Sequence, residues 1–402
     1  MSNPPLFPEL FDPEGKDGIL PWQEIKRLVE TGRIGPDVPH SQIQPASMDL
    51  RLGPVAYRVQ ASFLRGNSTT LLTKVHELLD STIDLSVPSP QLLEPGVVYI
   101  IPLLERLRLP ENIQGIANPK STTGRLDIFV RLITECGDQF DRVPLNYSGQ
   151  LYIEVSSRTF PVRVRQGMRL NQLRFVRGNS MEPVRNGKLI KLAKEYRLIH
   201  ETASPYMAEA VIGDGVEIRV DLEGQDELSV VAYKAKDSRR AIELDKLNYY
   251  DPAEFWERIP RPPKRRIILT KGSFYLLASK ARVSVPLTHA AEMLAHDPSM
   301  GEFRVHYAGF FDPGFGYGNA GEILGTKAVL EVRAYEVPIV LEDNDVVGRL
   351  HYYPLAASPE RVYGASIGSS YQEQGLALSK QFKRDDRQPN SPSETQSVAI
   401  AR

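Results

Sequence analysis

Two glutamates stand inside otherwise apolar, strand-like runs, Glu154 in YIEV and Glu331 in VLEV. Strand alternation places each carboxylate on the face opposite its two apolar chain neighbours. A solvated glutamate on an outward face is the ordinary account of that pattern. Facing a closed pocket instead, the carboxyl would hold its proton more tightly and could shuttle it. The stretch PKSTTGR, residues 119–125, brings together Lys120, Ser121, Thr122, Thr123 and Arg125. A turn of that make-up can offer N–H groups, hydroxyls and cations to a polyphosphate, although on composition alone a solvated turn is the better account. HYAGFFDPGFGYG, residues 306–318, sets the turn signal Asp312-Pro313-Gly314 between aromatic flanks. Such a hairpin could receive a flat base, with Asp312 accepting a hydrogen bond from a sugar hydroxyl. A plain hairpin turn is again the simpler account.

Other chemistries find little support. GYGNAG follows a turn and leads into ILGTKAVLEV, which reads as strand, so it is no dinucleotide fingerprint. The P-loop spacing and the G-x-S-x-G elbow are absent, and no two histidines form an H-x-x-x-H pair. With Cys136 as the one cysteine, no intrachain disulfide, no multi-cysteine zinc site and no zinc-deaminase signature can be built. Cys136 itself is expected to be a buried small residue.

The elements that must position these groups are mostly strands. Residues 18–35 predict a helix, with Ile25, Leu28, Val29 and Trp22 at helical spacing, Pro21 at its start and Gly32 past its end. Strand patterns follow at 48–53, 96–103, 150–155, 161–165 and 170–176. The second half echoes the first: 92–110 can be laid over 267–286, 149–175 over 326–353, and 49–59 more weakly over 227–235. Two copies of one β fold, joined near 180–215, are the expected organisation. The polar, Pro/Ser-rich run from Arg384 is expected to stay unstructured.

Composition sets the outer bounds. The chain has 402 residues, 41% apolar and 25% charged, with a formal charge of -1. Such a balance gathers neither nucleic acid nor anionic lipid. No run of about 18 apolar residues offers a membrane span, and no secretory signal is read at the start, so a cytoplasmic, metal-poor protein is expected.

Taken together, the segments resemble the dCTP deaminase branch of the dUTPase-like superfamily. The opening helix, QPASMDLRLG (44–53), the phosphate motif at Lys120-Ser121-Thr122-Thr123-Gly124-Arg125 and the nucleoside hairpin from Ala308 to Phe315 carry the likeness. So do the glutamate strands Leu330-Glu331-Val332 and Ile153-Glu154-Val155, and the closing segment Ser370-Tyr371-Gln372-Glu373-Gln374-Gly375. The resemblance spans roughly 18–383 when read as two family units in tandem. It implies a mainly β chain of two dUTPase-like distorted, jelly-roll-like β-barrels with a few short helices. The expected units are 1–205 and 206–383, followed by a disordered tail, 384–402.

Each half has lost what the other keeps. The first hairpin reads ECGDQFDRVPLNYSG, without Asp-Pro-Gly, and the second phosphate region reads PLTHAAEMLAHDPSMG, without the serines or the arginine. The resemblance therefore implies a composite site. The first half would supply Lys120, Ser121, Thr122, Thr123 and Arg125; the second, Ala308, Asp312 and Glu331; the closing segment, Tyr371, Gln372 and Gln374. Glu154 is the competing candidate for the working glutamate. The implied activity is hydrolytic deamination of dCTP to dUTP and ammonia, feeding dUMP and dTTP synthesis, without a metal on the base. Mg2+ would accompany the triphosphate, zinc would have no role, and the fused chain would assemble as a homotrimer. A dUTP diphosphatase, a bifunctional dCTP-to-dUMP enzyme and a catalytically dead nucleotide-binding regulator remain alternatives.

Overall fold

The computed structural model describes residues 15–65, 70–178, 181–200, 212–213, 215–224, 229–295, 303–306, 309–364 and 375–384. The chain is mainly β. Helix α1 (Trp22–Glu30) buries Trp22, Ile25 and Leu28. It ends in a Schellman turn: Arg33 N–H donates to Leu28 O at 2.8 Å, Gly32 N–H donates to Val29 O at 3.0 Å, and Gly32 holds φ +68°. α2 (Leu71–Glu77) is capped by Thr70, whose side chain accepts from Thr73 N–H. α3 (Ser121–Gly124) is a single turn, α4 (Asn186–Tyr196) follows the first half, and α5 (Pro252–Phe255) is capped by Asp251.

The first half carries strands β1 (Met48–Arg51), β2 (Val55–Val59), β3 (Leu79–Asp84), β4 (Val98–Arg108), β5 (Ile113–Pro119), β6 (Ile128–Thr134), β7 (Ser148–Ser157) and β8 (Arg169–Arg177). One sheet runs β3-β2-β4-β7-β6; in the other, β8 has β5 along one side and β1 and Gly18–Ile19 in succession along the other. The second half carries β9 (Gly215–Arg219), β10 (Val230–Ala235), β11 (Trp256–Pro260), β12 (Phe274–Val283), β13 (His289–Ala295), β14 (Phe303–His306), β15 (Phe310–Phe311), β16 (Thr326–Ala334) and β17 (Val346–Pro354). Its sheets run β11-β10-β12-β16-β14 and β9-β17-β13-β15. The strand order β2-β4-β7-β6 thus has a counterpart in β10-β12-β16-β14.

The halves do not fold side by side as independent cores. Tyr233, Ile242, Phe255, Trp256, Phe274 and Phe382 belong to the hydrophobic cluster of the first half. Phe160 of the first half meets Trp256 edge-on at 5.4 Å, and Trp256 meets Phe382 at 6.0 Å. The strand Val162–Val164 pairs in parallel with Ile242–Glu243 across the boundary. This stitching fixes the second half and the segment 375–384 against the first-half turn α3.

Two expectations change. Neither glutamate is solvated: Glu154 is 1% exposed and Glu331 6%. Both sit on central strands whose sheets are covered on both faces, so alternation does not lead to water. Cys136 is exposed rather than buried, because it lies in the turn after β6 and not in a strand. Among the described residues no helix is long and apolar enough to cross a membrane. The tail beyond Arg384 lies outside the described residues, as do Ala308, Tyr371, Gln372 and Gln374.

Candidate active site

Pro119 ends β5, and the chain turns once through α3. Gly124 N–H donates to Lys120 O at 3.0 Å and Arg125 N–H to Ser121 O at 3.1 Å. The turn leaves Ser121 and Thr122 partly open and buries Thr123 and Arg125. Glu331, from the middle of β16 in the other half, comes up against this turn. A Cβ added at Gly124 would run into the Glu331 carboxylate, so only glycine leaves room for it. Glu331 Oε2 is buried and has no hydrogen-bond partner among the described residues. Burial raises its pKa well above the usual carboxylate range. Arg125 pulls it down and Asp127 adds to the rise. Arg125 donates from Nη1 to Ala377 O at 3.0 Å, and Ser379 Oγ donates to Thr122 O at 2.9 Å. The closing part of the chain is thereby fastened over the turn.

Beside α3 opens a cleft of about 280 Å³, lined among others by Asp49, Lys120, Thr122, Arg169, Leu244 and Lys380. Lys120 forms an ion pair with Asp49 of β1, and Arg169 Nη1 stands 3.8 Å from the same carboxylate. Three lining cations, Lys120, Arg169 and Lys380, against two lining carboxylates, Asp49 and Asp245, leave a positive surplus suited to an anion.

The Asp312 hairpin is held from the first half. Arg174 of β8, fully buried, donates from Nη1 to Ala291 O at 2.8 Å and from Nη2 to Phe311 O at 2.9 Å. Its Nη2 also lies 3.4 Å from Asp312 Oδ1, and its guanidinium sits 4.1 Å from the Phe310 ring centroid. Burial raises the Asp312 pKa against the pull of Arg174; Asp49 and Lys120 also act on it, which places the hairpin next to the cationic cleft. Gly314 takes φ +95°, which the turn requires. Asn118 of β5 donates to Glu292 Oε1 of β13 at 3.0 Å, a second buried polar link between the halves.

The structure thus brings Lys120, Ser121, Thr122, Thr123, Arg125, Asp312 and Glu331 to the seam between the halves. It does not bring Glu154 there. Glu154 Oε1 accepts from Arg131 Nη2 at 2.7 Å and Nε at 3.1 Å, and Arg131 donates onward to Ser62 Oγ at 2.7 Å, all within the first half. Sequence reasoning missed Asp49, Arg169, Arg174, Asn118, Glu292 and Lys380. Asp49 stood in the recognised segment QPASMDLRLG but as an unremarked strand residue; the others carry no local spacing signal. Among the described residues no group of three or more His, Cys, Asp or Glu could hold a metal ion.

Comparison with known proteins agrees with this geometry. The model of the 2'-deoxycytidine 5'-triphosphate deaminase N-terminal domain matches residues 16–179, and that of the C-terminal domain matches 185–382. The chain is 32% identical over 161 residues to a dCTP deaminase of Natronomonas pharaonis, covering 39% of this chain and 79% of that one. It is 30% identical over 168 residues to a dUMP-forming dCTP deaminase of Dictyoglomus thermophilum, covering 40% of this chain and 81% of that one. A crystal structure of the 2'-deoxycytidine 5'-triphosphate deaminase from Agrobacterium tumefaciens is similar at 42% identity and TM-score 0.77, over 85% of this chain and 99% of that chain. The chain belongs to the 2'-deoxycytidine 5'-triphosphate deaminase family.

Proposed function

We propose that this chain hydrolyses dCTP to dUTP and ammonia at one composite site per chain, with Glu331 as its proton-transfer group. The observation that carries the reading is the Glu331 carboxylate lodged against Gly124 and near Arg125, its buried Oε2 without a hydrogen-bond partner among the described residues. A water adds through its oxygen to C4 of the cytosine. Glu331 takes one proton from that water and delivers it to N3 of the ring, then takes the proton of the C4 hydroxyl so formed and passes it to the amino nitrogen. The C4–N4 bond breaks, ammonia leaves and the carbonyl of uracil remains. Burial suits the carboxylate to this work, because raising its pKa makes it a better proton acceptor that can then return the proton. Arg125 beside the site favours the ionised, basic form of Glu331 against the effect of burial.

Lys120, Ser121, Thr122 and Thr123 hold the triphosphate, and Asp312 receives the sugar. Ala308 at the base edge and Tyr371, Gln372 and Gln374 closing over the phosphates complete the proposed set. Mg2+ enters with the triphosphate, held by phosphate oxygens and water. The cleft's carboxylates are already engaged, Asp49 with Lys120 and Arg169 and Asp245 with Arg165, and so leave no open protein cage for it. Zinc has no place in this scheme. The assembly we infer is a cytoplasmic homotrimer of the two-unit chain, to be measured by light scattering.

The test is ammonia release from dCTP, measured beside pyrophosphate release from dCTP and dUTP. Ammonia without pyrophosphate supports plain deamination. Both together support dCTP-to-dUMP conversion, a reading favoured by the likeness to a relative named dUMP-forming. Tight dCTP binding without ammonia overturns the proposal in favour of a regulatory nucleotide-binding protein.

A further inference from the structure

Asp127 and Arg333 stand one step behind the proposed site and belong to opposite halves. Asp127 is fully buried two residues after Arg125, and Arg333 lies two residues after Glu331 on β16, hence on the same face of that strand. Arg333 Nη2 is ion-paired with Asp127 Oδ2 and donates to Thr159 Oγ1 at 2.8 Å; Thr159 Oγ1 in turn donates to Asp127 Oδ2 at 2.6 Å. The other guanidinium nitrogen, Nη1, donates to Gly272 O. Asp127 adopts φ +56°, a left-handed conformation that Asp tolerates better than most residues. Its N–H donates to Gly124 O at 2.8 Å, and its O accepts from Arg158 N–H at 3.0 Å. One residue therefore ties the backbone of the α3 turn to the glutamate strand of the other half.

A buried ion pair is a poor source of net stability, since desolvation offsets much of its attraction; its well-attested use is to fix register. The register here is that of Glu331 against Gly124. We infer that Asp127 and Arg333 are positioning residues for Glu331: their pair draws β16 onto the α3 turn and keeps an acidic neighbour beside the working carboxylate. The inference rests on Glu331 being that carboxylate. The groups around Glu331 are Gly124, Arg125 and Asp127 from the first half, Leu276 opposite on β12, and the register position of His306 on β14. Of the charged groups, Arg125 stabilises the ionised form and Asp127 the protonated form.

Asp127→Asn keeps the left-handed conformation and the side-chain shape but removes the negative charge. The readout is the carboxyl stretch of Glu331 followed by infrared spectroscopy against pH in the ligand-free full chain, with Glu331→Gln as the blank. The expected result is a Glu331 titration about one pH unit lower than in the unmodified protein. Turnover should fall about tenfold with KM for dCTP within about twofold, as expected for a misplaced and less basic group. Coincident titrations would overturn the inference. If Asp127→Asn does not fold, Arg333→Lys keeps the charge with poorer geometry. It should lower kcat several-fold at unchanged KM with an unmoved titration, whereas an undiminished kcat would overturn the positioning role. The infrared result stands whether or not the unmodified chain releases ammonia, so failure of the deaminase reading would be seen separately.

Discussion

Glu154 and Glu331 occupy corresponding places in corresponding sheets and end with different surroundings. Glu154 on β7 faces Ile100 on β4 and Arg131 on β6; Glu331 on β16 faces Leu276 on β12 and His306 on β14. The neighbour on one side is aliphatic in both halves. On the other side the first half has placed an arginine, which takes Glu154 Oε1 in two hydrogen bonds and stacks 3.5 Å from the Phe140 ring centroid. Oε2 is without a hydrogen-bond partner in both glutamates, but Glu331 has no arginine bonded to its carboxylate among the described residues, and burial drives its pKa up. The same residue type in the same strand is thus bonded to an arginine in one half and left without one in the other. A buried carboxylate is spent once it is paired, and reactive only while pairing is withheld.

The sharpest way to break this comparison is to remove each carboxylate's ionisation in turn. Glu331→Gln should lower kcat for ammonia release about 10³-fold, within the range for loss of a general acid–base. Glu154→Gln should leave kcat within about threefold and lower the melting temperature by several degrees, because Arg131 loses its charged partner. The reverse pattern in paired turnover and melting measurements would make Glu154 the working residue. Gly124→Ala tests the seam itself. The added methyl must displace the Glu331 carboxylate, and a shift of about 1 Å there should cost about 10²-fold in turnover. A fully active Gly124→Ala chain would show that the seam is not where the reaction occurs.

Much of this was legible in the sequence where a signal is local. The turn 119–125, the hairpin around Asp312 and the two glutamate strands are short segments whose residue types declare themselves by spacing. The end of α1 was legible for the same reason, since Gly32 alone can take the left-handed turn at little cost. What was not legible depends on chain distance or on cover. Alternation tells which residues share a face of β7 or β16 but not whether both faces are buried. The pairs Arg333–Asp127, Asn118–Glu292 and Arg174–Asp312 join residues 206, 174 and 138 positions apart, and no local pattern announces such a meeting. Cys136 was misjudged because its residue type favours burial, whereas its position in a turn decides exposure.

A milder test separates grip from chemistry at the seam. Lys120→Met removes one of three cations from the cleft and leaves Asp49 to Arg169. A charge-assisted contact to phosphate contributes about 1.5–3 kcal/mol, so KM for dCTP should rise about 10- to 100-fold while kcat stays within about threefold. A fall in kcat at unchanged KM, read from steady-state ammonia release, would place Lys120 with the chemistry instead.

The smallest effect belongs to the first half and concerns stability alone. Asp141, near Arg131 and Glu154, is raised to about 7 by burial, against the hydrogen bond from Leu132 N–H and the charges of Arg131 and Arg142. A carboxyl whose folded pKa exceeds its unfolded value of 3.8 stabilises the fold fully below that lower value, and the contribution is lost as pH rises through about 7. Asp141→Asn keeps the acceptor for Leu132 N–H and suits the left-handed φ of +60°. It should raise the melting temperature by about 2 °C at pH 8, solvent screening at this partly exposed side chain trimming the gain, and change it little at pH 5. An equal shift at both pH values would mean that Asp141 stays ionised throughout. Arg131 would then be serving two carboxylates, and the hold on Glu154 would be weaker than its contrast with Glu331 requires.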